Sequence, residues 1–222
     1  TRLAPQPLQA DGGLPAQAIA VSWELADDPR FARIVRSGNT VALPEHAHSV
    51  HVEVPGLRPG RVYFYRFLAG GHASPVGRTR TAPEPDADVS RLRLALASCQ
   101  HYEHGLYVAH RDIAAQDLDL VLFVGDYIYE TTYPNNRVRA HRGPAPKTLS
   151  EYRNQYAQYK SDPDLQAAHA AHPWLLMWDD HEVVNDYANQ TDPAFTDPGV
   201  FLARRAAAYR AYFEHQPLRI GP

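Results

Sequence analysis

The sequence of 222 residues contains one cysteine, Cys99, so it can form neither an internal disulfide bond nor a cluster of thiolates. It has no apolar run long enough to span a bilayer, because its longest apolar runs are only as long as a β-strand. It also lacks a run of lysine and arginine, and its formal net charge is −3. This charge pattern argues against specific binding of nucleic acid. With 44% hydrophobic residues, the chain can still bury a core.

Both ends of the sequence look like cuts. The chain starts at Thr1 without methionine and without a signal peptide, so we expect that an upstream segment was removed or never included. At the other end, Ile220–Pro222 follow an arginine- and alanine-rich helical pattern and do not look like a natural domain end.

The N-terminal part of the sequence predicts short β-strands that are separated by turns. Ala18–Glu24 and Ser49–Val54 alternate apolar and polar residues, and Arg33–Arg36 is a further short strand. Leu57–Phe67 begins with a turn and continues as an aromatic strand. Because no helical pattern lies between these segments, we expect a β-sandwich.

One turn in this region resembles a known structural feature. Leu57, Pro59 and Tyr63 have the spacing of the tyrosine corner of fibronectin type III and other immunoglobulin-like domains, in which the tyrosine hydroxyl bonds to nearby backbone. The resemblance implies that Leu57 fills the core and that Trp23 is the buried core tryptophan. We therefore predict an immunoglobulin-like domain with its linker over residues 1–85, the linker being the proline-rich, acidic stretch Thr81–Asp88.

Beyond the linker, the periodicity changes to that of an α/β domain, which we expect over residues 90–222. Alternation of apolar strands with helical patterns is typical of a mainly parallel sheet, and chemistry in such sheets gathers at the carboxyl ends of the strands. The predicted strands are Leu92–Ser98, Leu118–Val124 and Trp174–Trp178, and the predicted helices are Tyr107–Gln116, Leu149–Lys160, Asp164–Ala171 and Phe201–Glu214.

Each of these strands delivers possible metal ligands to the same edge of the sheet. Cys99 follows the first strand, Asp126 and Tyr129 follow the second, and Asp180 and His181 follow the third. A thiolate together with a phenolate suits Fe(III), and the carboxylate oxygens leave room for a second metal such as Ca or Mg. Plainer interpretations remain open, because Cys99 taken alone would be a buried structural residue and Asp126 a helix N-cap. For the neighbours Asp179 and Glu182, a solvated loop is the main alternative.

Three sequence blocks resemble the signature blocks of the alkaline phosphatase D family. They are Ala97–Gln100, Val124–Glu130 and Trp178–Val183, the last continuing into Asn185–Ala188. The resemblance implies an immunoglobulin-like domain followed by the first half of a calcineurin-like α/β metallophosphoesterase domain. It also implies a secreted, periplasmic or cell-surface enzyme that hydrolyses phosphate monoesters and diesters.

The same resemblance implies a site that holds iron and calcium. Cys99, Asp126 and Tyr129 match the family's iron ligands, and Asp126 is placed to bridge the two metals. Asp180 stands where general metallophosphoesterases have an asparagine, and we expect it to be a metal ligand. His181 matches the motif histidine, and we expect it to be the catalytic residue that stabilises the phosphoryl oxygens or protonates the leaving group.

This chain departs from the family in length. Family members continue well beyond it, with later blocks that complete the metal site, so we expect this chain to bind metal weakly and to be inactive. The competing hypothesis is a non-catalytic β-sandwich binding module with a degenerate hydrolase appendage. We expect a monomer that takes a phosphate ester, and the sequence leaves open whether that is a monoester, a diester, a phospholipid or a teichoic acid.

Overall fold

The structure, a computed structural model, describes residues 1–219. Ile220–Pro222, where the sequence suggests a cut, lie outside the described residues. The N-terminal region forms one antiparallel sheet. Its strands are β1 (Ile19–Ala26), β2 (Ile34–Ala42), β3 (Val62–Ala69), β4 (His72–Ala73) and β5 (Gly77–Arg80). Their order in the sheet is β2-β1-β3-β4, and β5 also pairs with β3.

The hydroxyl of Tyr63 forms a hydrogen bond with the backbone, as the tyrosine-corner spacing predicts. Tyr63 is buried, and its hydroxyl accepts a hydrogen bond of 3.1 Å from the backbone N–H of Arg58. Leu57 and Trp23, in contrast, are only half-buried, so the prediction that they lie in the core is wrong. The compact core of this region consists of Val21, Ala42 and Val50, and Trp23 instead packs over Gly38 and lines a cavity.

The strand expected over Ser49–Val54 is wrong. Only Ser49 forms a bridge, with Arg2, and the following residues pair with no neighbouring strand. Among residues 1–219, the N-terminal strands form a single sheet, so the second layer of the expected immunoglobulin-like sandwich is not established. The linker Thr81–Asp88 lies in a stretch between β5 and the next strand that has neither helix nor strand.

The second region has the mixture of helices and parallel strands that the sequence predicts. Its three-stranded sheet has the order β6 (Leu94–Ala97), β7 (Leu120–Val124), β8 (Trp174–Met177), and both pairs are parallel. The helix over Leu149–Lys160 begins with a capping box in which the Thr148 side chain accepts from the Glu151 N–H and the Glu151 carboxylate accepts from the Thr148 N–H. The elements are β6 (Leu94–Ala97), α1 (Val108–Ala115), β7 (Leu120–Val124), α2 (Leu149–Lys160), α3 (Pro163–Ala171), β8 (Trp174–Met177) and α4 (Pro198–His215).

The two faces of this parallel sheet differ in how deeply their side chains are buried. One face packs Val121, Phe123 and Trp174 into an aromatic-rich core with the helices. The opposite face is open among the described residues, since Leu96 and Leu175 are 70% and 61% exposed. In β6, Ala95 and Ala97 are half-buried against this core, whereas Leu94 and Leu96 are exposed. No helix within residues 1–219 is both long enough and apolar enough to cross a bilayer.

The N-terminal sheet contacts the helical region directly. Arg78 of β5 donates a hydrogen bond to the carbonyl of Ala171 at the end of α3, and Arg80 forms an ion pair with Asp119 just before β7. At the other end of the interface, Arg153 and Arg210 donate to the carbonyl of Glu45. These contacts hold the sheet against the helices and leave a cavity between them.

Candidate metal centre

The chain makes two unusual turns where β6 and β7 end. Cys99 and Asp126 have φ angles of 55° and 56°, in the left-handed region that non-glycine residues seldom adopt. Gly125, with φ of 96°, directly precedes Asp126, and its carbonyl accepts a hydrogen bond from the N–H of Cys99. Backbone strain of this kind gathers at functional sites, where it aims side chains that the regular strand would point elsewhere.

Gly125 also allows the ends of β7 and β8 to approach each other. A Cβ atom at this position would lie 2.4 Å from Cβ of Asp179 and 2.8 Å from its backbone nitrogen. No side chain fits in that space, so glycine is required by contact as well as by its φ angle. The close approach brings the residues that follow β7 near those that follow β8.

Three ligand-type side chains meet at this edge of the sheet. One oxygen of Asp126, one oxygen of Asp180 and one ring nitrogen of His181 all lie within 4.8 Å of one another. Asp126 and His181 are buried, and Asp180 is half-buried. The strand pattern of the sequence predicts that these residues share one site, and the structure brings all three together.

Asp126 is the more deeply buried of the two carboxylates in this cluster. Its Oδ2 accepts a hydrogen bond of 2.8 Å from the hydroxyl of Tyr129, whereas its buried Oδ1 has no hydrogen-bond partner within residues 1–219. Burial raises the pKa of Asp126, and the hydrogen bond from Tyr129 offsets this only in part. A buried carboxylate oxygen without a donor is costly, and a cation would satisfy it.

Tyr129 connects Asp126 to Cys99. Burial raises the pKa of the Tyr129 hydroxyl far above its usual range, and the neighbouring Asp126 carboxylate and Cys99 thiol raise it further. Cys99 is exposed and is not one of the three side chains that lie within 4.8 Å of one another. The structure therefore places Cys99 beside Tyr129, at the margin of the Asp126–Asp180–His181 cluster.

His181 is held by a buried carboxylate to which the sequence pattern assigned no role. Its Nδ1 lies 2.7 Å from Oε2 of Glu130, whose other oxygen accepts from the N–H of Asn185 at 2.9 Å. Burial alone would lower the pKa of His181, but the hydrogen bond and charge of Glu130 outweigh it and raise the pKa. The contact with Glu130 fixes the orientation of the His181 ring. Nε2 is then the ring nitrogen that does not contact Glu130. No sequence signal next to Glu130 indicates this role, because its partner His181 lies 51 positions away along the chain.

Glu182 links the ends of β7 and β8 through hydrogen bonds. This buried carboxylate accepts from the backbone N–H groups of Asp126 at 3.2 Å, Tyr127 at 2.6 Å and Asp179 at 2.8 Å. The solvated loop considered for Glu182 is therefore wrong, because the residue ties β7 to β8 from inside. Asp179, in contrast, is exposed, as that alternative expects.

A further histidine, His101, lies next to Tyr129, and His104 lies against it. The His101 ring stacks on His104 with centroids 4.2 Å apart and meets the Tyr129 ring edge-on at 4.5 Å. Burial lowers the pKa of His101 to about 4, and the neighbouring His104 lowers it as well. These rings form an aromatic rim on the Tyr129 side of the cluster.

The residues of the cluster fit a metal ion. They supply hard carboxylate oxygens, an imidazole nitrogen, and close by a phenol and a thiol, while an unsatisfied buried oxygen of Asp126 marks where a cation is needed. This mixture of donors is suited to a transition metal more than to Mg alone. The arrangement can hold a cation beside an imidazole that is itself hydrogen-bonded to a carboxylate.

Comparisons with known proteins identify relatives of both regions. Residues 94–221 match the family model described as PhoD-like phosphatase, and residues 1–83 match the model described as PhoD-like phosphatase, N-terminal domain. The chain is 53% identical, over 99% of its length, to alkaline phosphatase D of Bacillus subtilis (strain 168), but it covers only 38% of that protein.

A solved structure reported as the structure of PhoD superposes on this chain with a TM-score of 0.94. The sequences are 52% identical, and the match covers 99% of this chain and 43% of the other. The chain thus spans about two-fifths of the length of the relatives it matches.

Proposed function

The chain belongs to the PhoD-like phosphatase family, and on that premise we propose that it carries the N-terminal part of a metal-dependent hydrolase of phosphate monoesters or diesters. The observation on which the proposal rests is the convergence of Asp126, Asp180 and His181 within 4.8 Å at the carboxyl ends of two parallel strands. This edge of an α/β sheet is where ligands and reacting groups gather.

In this proposal, Cys99, Asp126, Tyr129 and Asp180 hold the metal ions, Fe(III) and Ca(II). The unsatisfied Oδ1 of Asp126 supports a bridging role, and the phenol of Tyr129 and the thiol of Cys99 favour iron at one position. When bound, the ions supply Lewis-acid activation of a water molecule and of the phosphoryl group.

We assign His181 the catalytic role of donating a proton from Nε2 to the oxygen of the departing alcohol. Glu130 favours the protonated ring, because its hydrogen bond to Nδ1 raises the pKa of His181. The buried pair also keeps the ring in one orientation, which a proton donor requires. His181 is thus the residue of the cluster that is best placed to donate a proton.

We further propose that the ligand set of the full enzyme includes residues outside this 222-residue chain. The relatives are more than twice as long as the matched segment. Within residues 1–219, no layer covers the face of the parallel sheet on which Leu96 and Leu175 are exposed, whereas a calcineurin-like domain needs one. The chain alone is therefore expected to bind metal weakly and to show little or no activity.

The remaining expectations belong to the same proposal. We propose an immunoglobulin-like unit with its linker over residues 1–85 and a metallophosphoesterase unit from residue 90, in a monomeric, exported enzyme without specific binding of nucleic acid. The backbone bond of Tyr63 supports the first unit, and the parallel order β6-β7-β8 supports the second.

A chimeric enzyme tests the proposed function. Residues 1–222 are joined to the part of Bacillus subtilis alkaline phosphatase D that follows the matched segment, and the 53% identity makes the junction compatible. Hydrolysis of p-nitrophenyl phosphate and of bis-p-nitrophenyl phosphate is then measured for the chimera, for its His181→Asn variant and for the 222-residue chain.

We expect the chimera to hydrolyse at least one ester and the His181→Asn variant to lose most of kcat, by about 100-fold or more. A chimera that binds iron and calcium but hydrolyses neither ester would contradict the proposal and favour the non-catalytic binding module. Loss of metal in the His181→Asn variant would make His181 a metal ligand instead of a proton donor.

A further inference from the structure

A cavity of about 810 Å³ lies between the N-terminal sheet and the helical region. Protein interiors are close-packed, and a space of this size corresponds to the pockets that hold small organic ligands. None of the proposed metal ligands lines it, so it is separate from the candidate metal centre. The lining residues come from the N-terminal segment, from β1, β3, β5 and β8, from residues 50–54, and from the ends of α2, α3 and α4.

Aromatic side chains supply much of the cavity wall. Trp23, Tyr65 and Phe67 belong to the sheet side, and Trp174 with the His169 ring stacked on it at 3.9 Å belongs to the helical side. Such walls match an apolar body, since aromatic surfaces gain most from contact with apolar groups. The wall thus fits a ligand with a hydrophobic portion.

The charges that line the cavity are unbalanced toward positive. Its carboxylates have cationic partners already, because Glu24 pairs with Arg66, Glu53 with Arg219, and Glu214 with Arg153 and Arg210. Arg78 and Lys160 also line the cavity, and neither forms an ion pair with a carboxylate within residues 1–219. The surplus of positive charge favours an anion.

Lys160 is the cation most in need of a partner. It is the last residue of α2, its Nζ lies 4.9 Å from the centroid of the Tyr127 ring, and no described residue accepts a hydrogen bond from it. Burial lowers the pKa of Lys160 to about 7. An ammonium group without an acceptor is costly to bury, and an anion in the cavity would relieve that cost.

We propose that this cavity binds an organic anion with one acidic head group, which pairs with Lys160, and an apolar body, which lies against Trp23, Tyr65 and Phe67. The head group is a carboxylate or a phosphate monoester. The site does not depend on the metal centre, and its test needs no metal.

Tryptophan fluorescence provides the measurement. Trp23 and Trp174 line the cavity, whereas Trp178 does not, so a ligand in the cavity changes the emission of the first two. The metal-free protein is titrated with decanoate and with decyl phosphate. Decyltrimethylammonium and decanol, with the same alkyl chain, serve as cationic and neutral controls, and calorimetry gives the stoichiometry.

The chain offers a matched control for the proposed anchor, because it has only two lysines, Lys160 in the cavity and Lys147 on the surface. We expect saturable binding of one anionic ligand, weakened roughly 10- to 100-fold by Lys160→Met. Lys147→Met should leave the affinity unchanged, and Lys160→Arg, which keeps the charge, should retain most of it. Saturable binding of either anion supports the proposal, and the stronger of the two identifies the head group.

Three results would overturn the proposal. They are the absence of saturable binding of both anions, equal affinity for decanol or decyltrimethylammonium, and unchanged affinity in Lys160→Met. Circular dichroism of each variant checks that it is folded, and binding by Lys160→Arg keeps the proposal testable if Lys160→Met does not fold.

Discussion

Nδ1 of His181 lies 2.7 Å from Oε2 of Glu130, and both side chains are buried. Glu130 follows β7 and His181 follows β8, so the contact joins the ends of two neighbouring strands. It also sets which ring nitrogen of His181 remains for chemistry. Glu130 is therefore a positioning residue that acts through His181.

Replacing Glu130 by glutamine should keep the size of the side chain but remove its charge. We expect the free energy of unfolding to fall by about 1–3 kcal/mol, because the buried hydrogen bond loses its charged acceptor. In the chimera with the Bacillus subtilis C-terminal part, kcat should fall by roughly 10- to 100-fold with little change in KM. Urea unfolding and steady-state kinetics measure these effects.

Glu84→Gln is the matched control for Glu130→Gln, because Glu84 is exposed in the linker. Equal kcat values for the two variants would show that the carboxylate of Glu130 does not position His181. Activity that returns in Glu130→Asp would support the positioning role.

Gly125→Ala should destabilise the strand ends that carry the site. The added Cβ would lie 2.4 Å from Cβ of Asp179, and alanine is strained at φ of 96°. We expect a loss of about 2–4 kcal/mol in the free energy of unfolding. Gly143→Ala is the control, because a Cβ at Gly143 meets nothing within 4 Å. Equal denaturation midpoints for the two variants would contradict the close approach of β7 and β8.

Stability should depend on pH through Lys160. Its pKa is about 7 in the folded chain instead of the usual 10.5, because burial disfavours the charge. Between these values the unfolded chain binds more protons, so the free energy of unfolding should rise as the pH rises from about 7 to about 10.5. The full shift corresponds to ~5 kcal/mol, and the partial exposure of Lys160 reduces our expectation to ~2–3 kcal/mol.

The other groups that face Lys160 affect only the two ends of this pH range, the Thr1 amine up to about pH 8 and Tyr127 above about pH 10. Burial lowers the pKa of the Thr1 amine to about 5 and places those of His169 and His215 well below the usual value, whereas burial raises that of Tyr127. We therefore measure the free energy of unfolding with denaturant at several pH values in this range. The slope of this free energy against pH should be smaller for Lys160→Met than for Lys147→Met. Identical slopes would place the Lys160 ammonium in solvent.

The sequence predicts the helices and parallel strands of the second region well. Leu149–Lys160 has the predicted bounds, because a proline precedes it and a capping box fixes its first turn. The convergence of Asp126 and Asp180 is predicted for a similar reason, since parallel strands bring their carboxyl ends to one edge. These features depend on local patterns and on one topological rule.

Other features leave no local pattern in the sequence. Glu182 and Glu130 act on residues about fifty positions away, so nothing next to them reveals their partners. Ser49–Val54 alternates like a strand, and Val50 and Val52 pack in the N-terminal core, but no strand within residues 1–219 pairs with this segment. Such features are visible only after the chain has folded.

The metal content of the chimera tests the central claim most directly. Iron and calcium are measured by mass spectrometry after gel filtration, for the parent chimera and for the variants Asp126→Asn, Cys99→Ser and Asp179→Asn. We predict bound iron and calcium in the parent and in Asp179→Asn, whose side chain is exposed, and loss of iron in Asp126→Asn and Cys99→Ser. A parent chimera that is folded but free of both metals, or an Asp126→Asn variant that keeps them, would contradict the account.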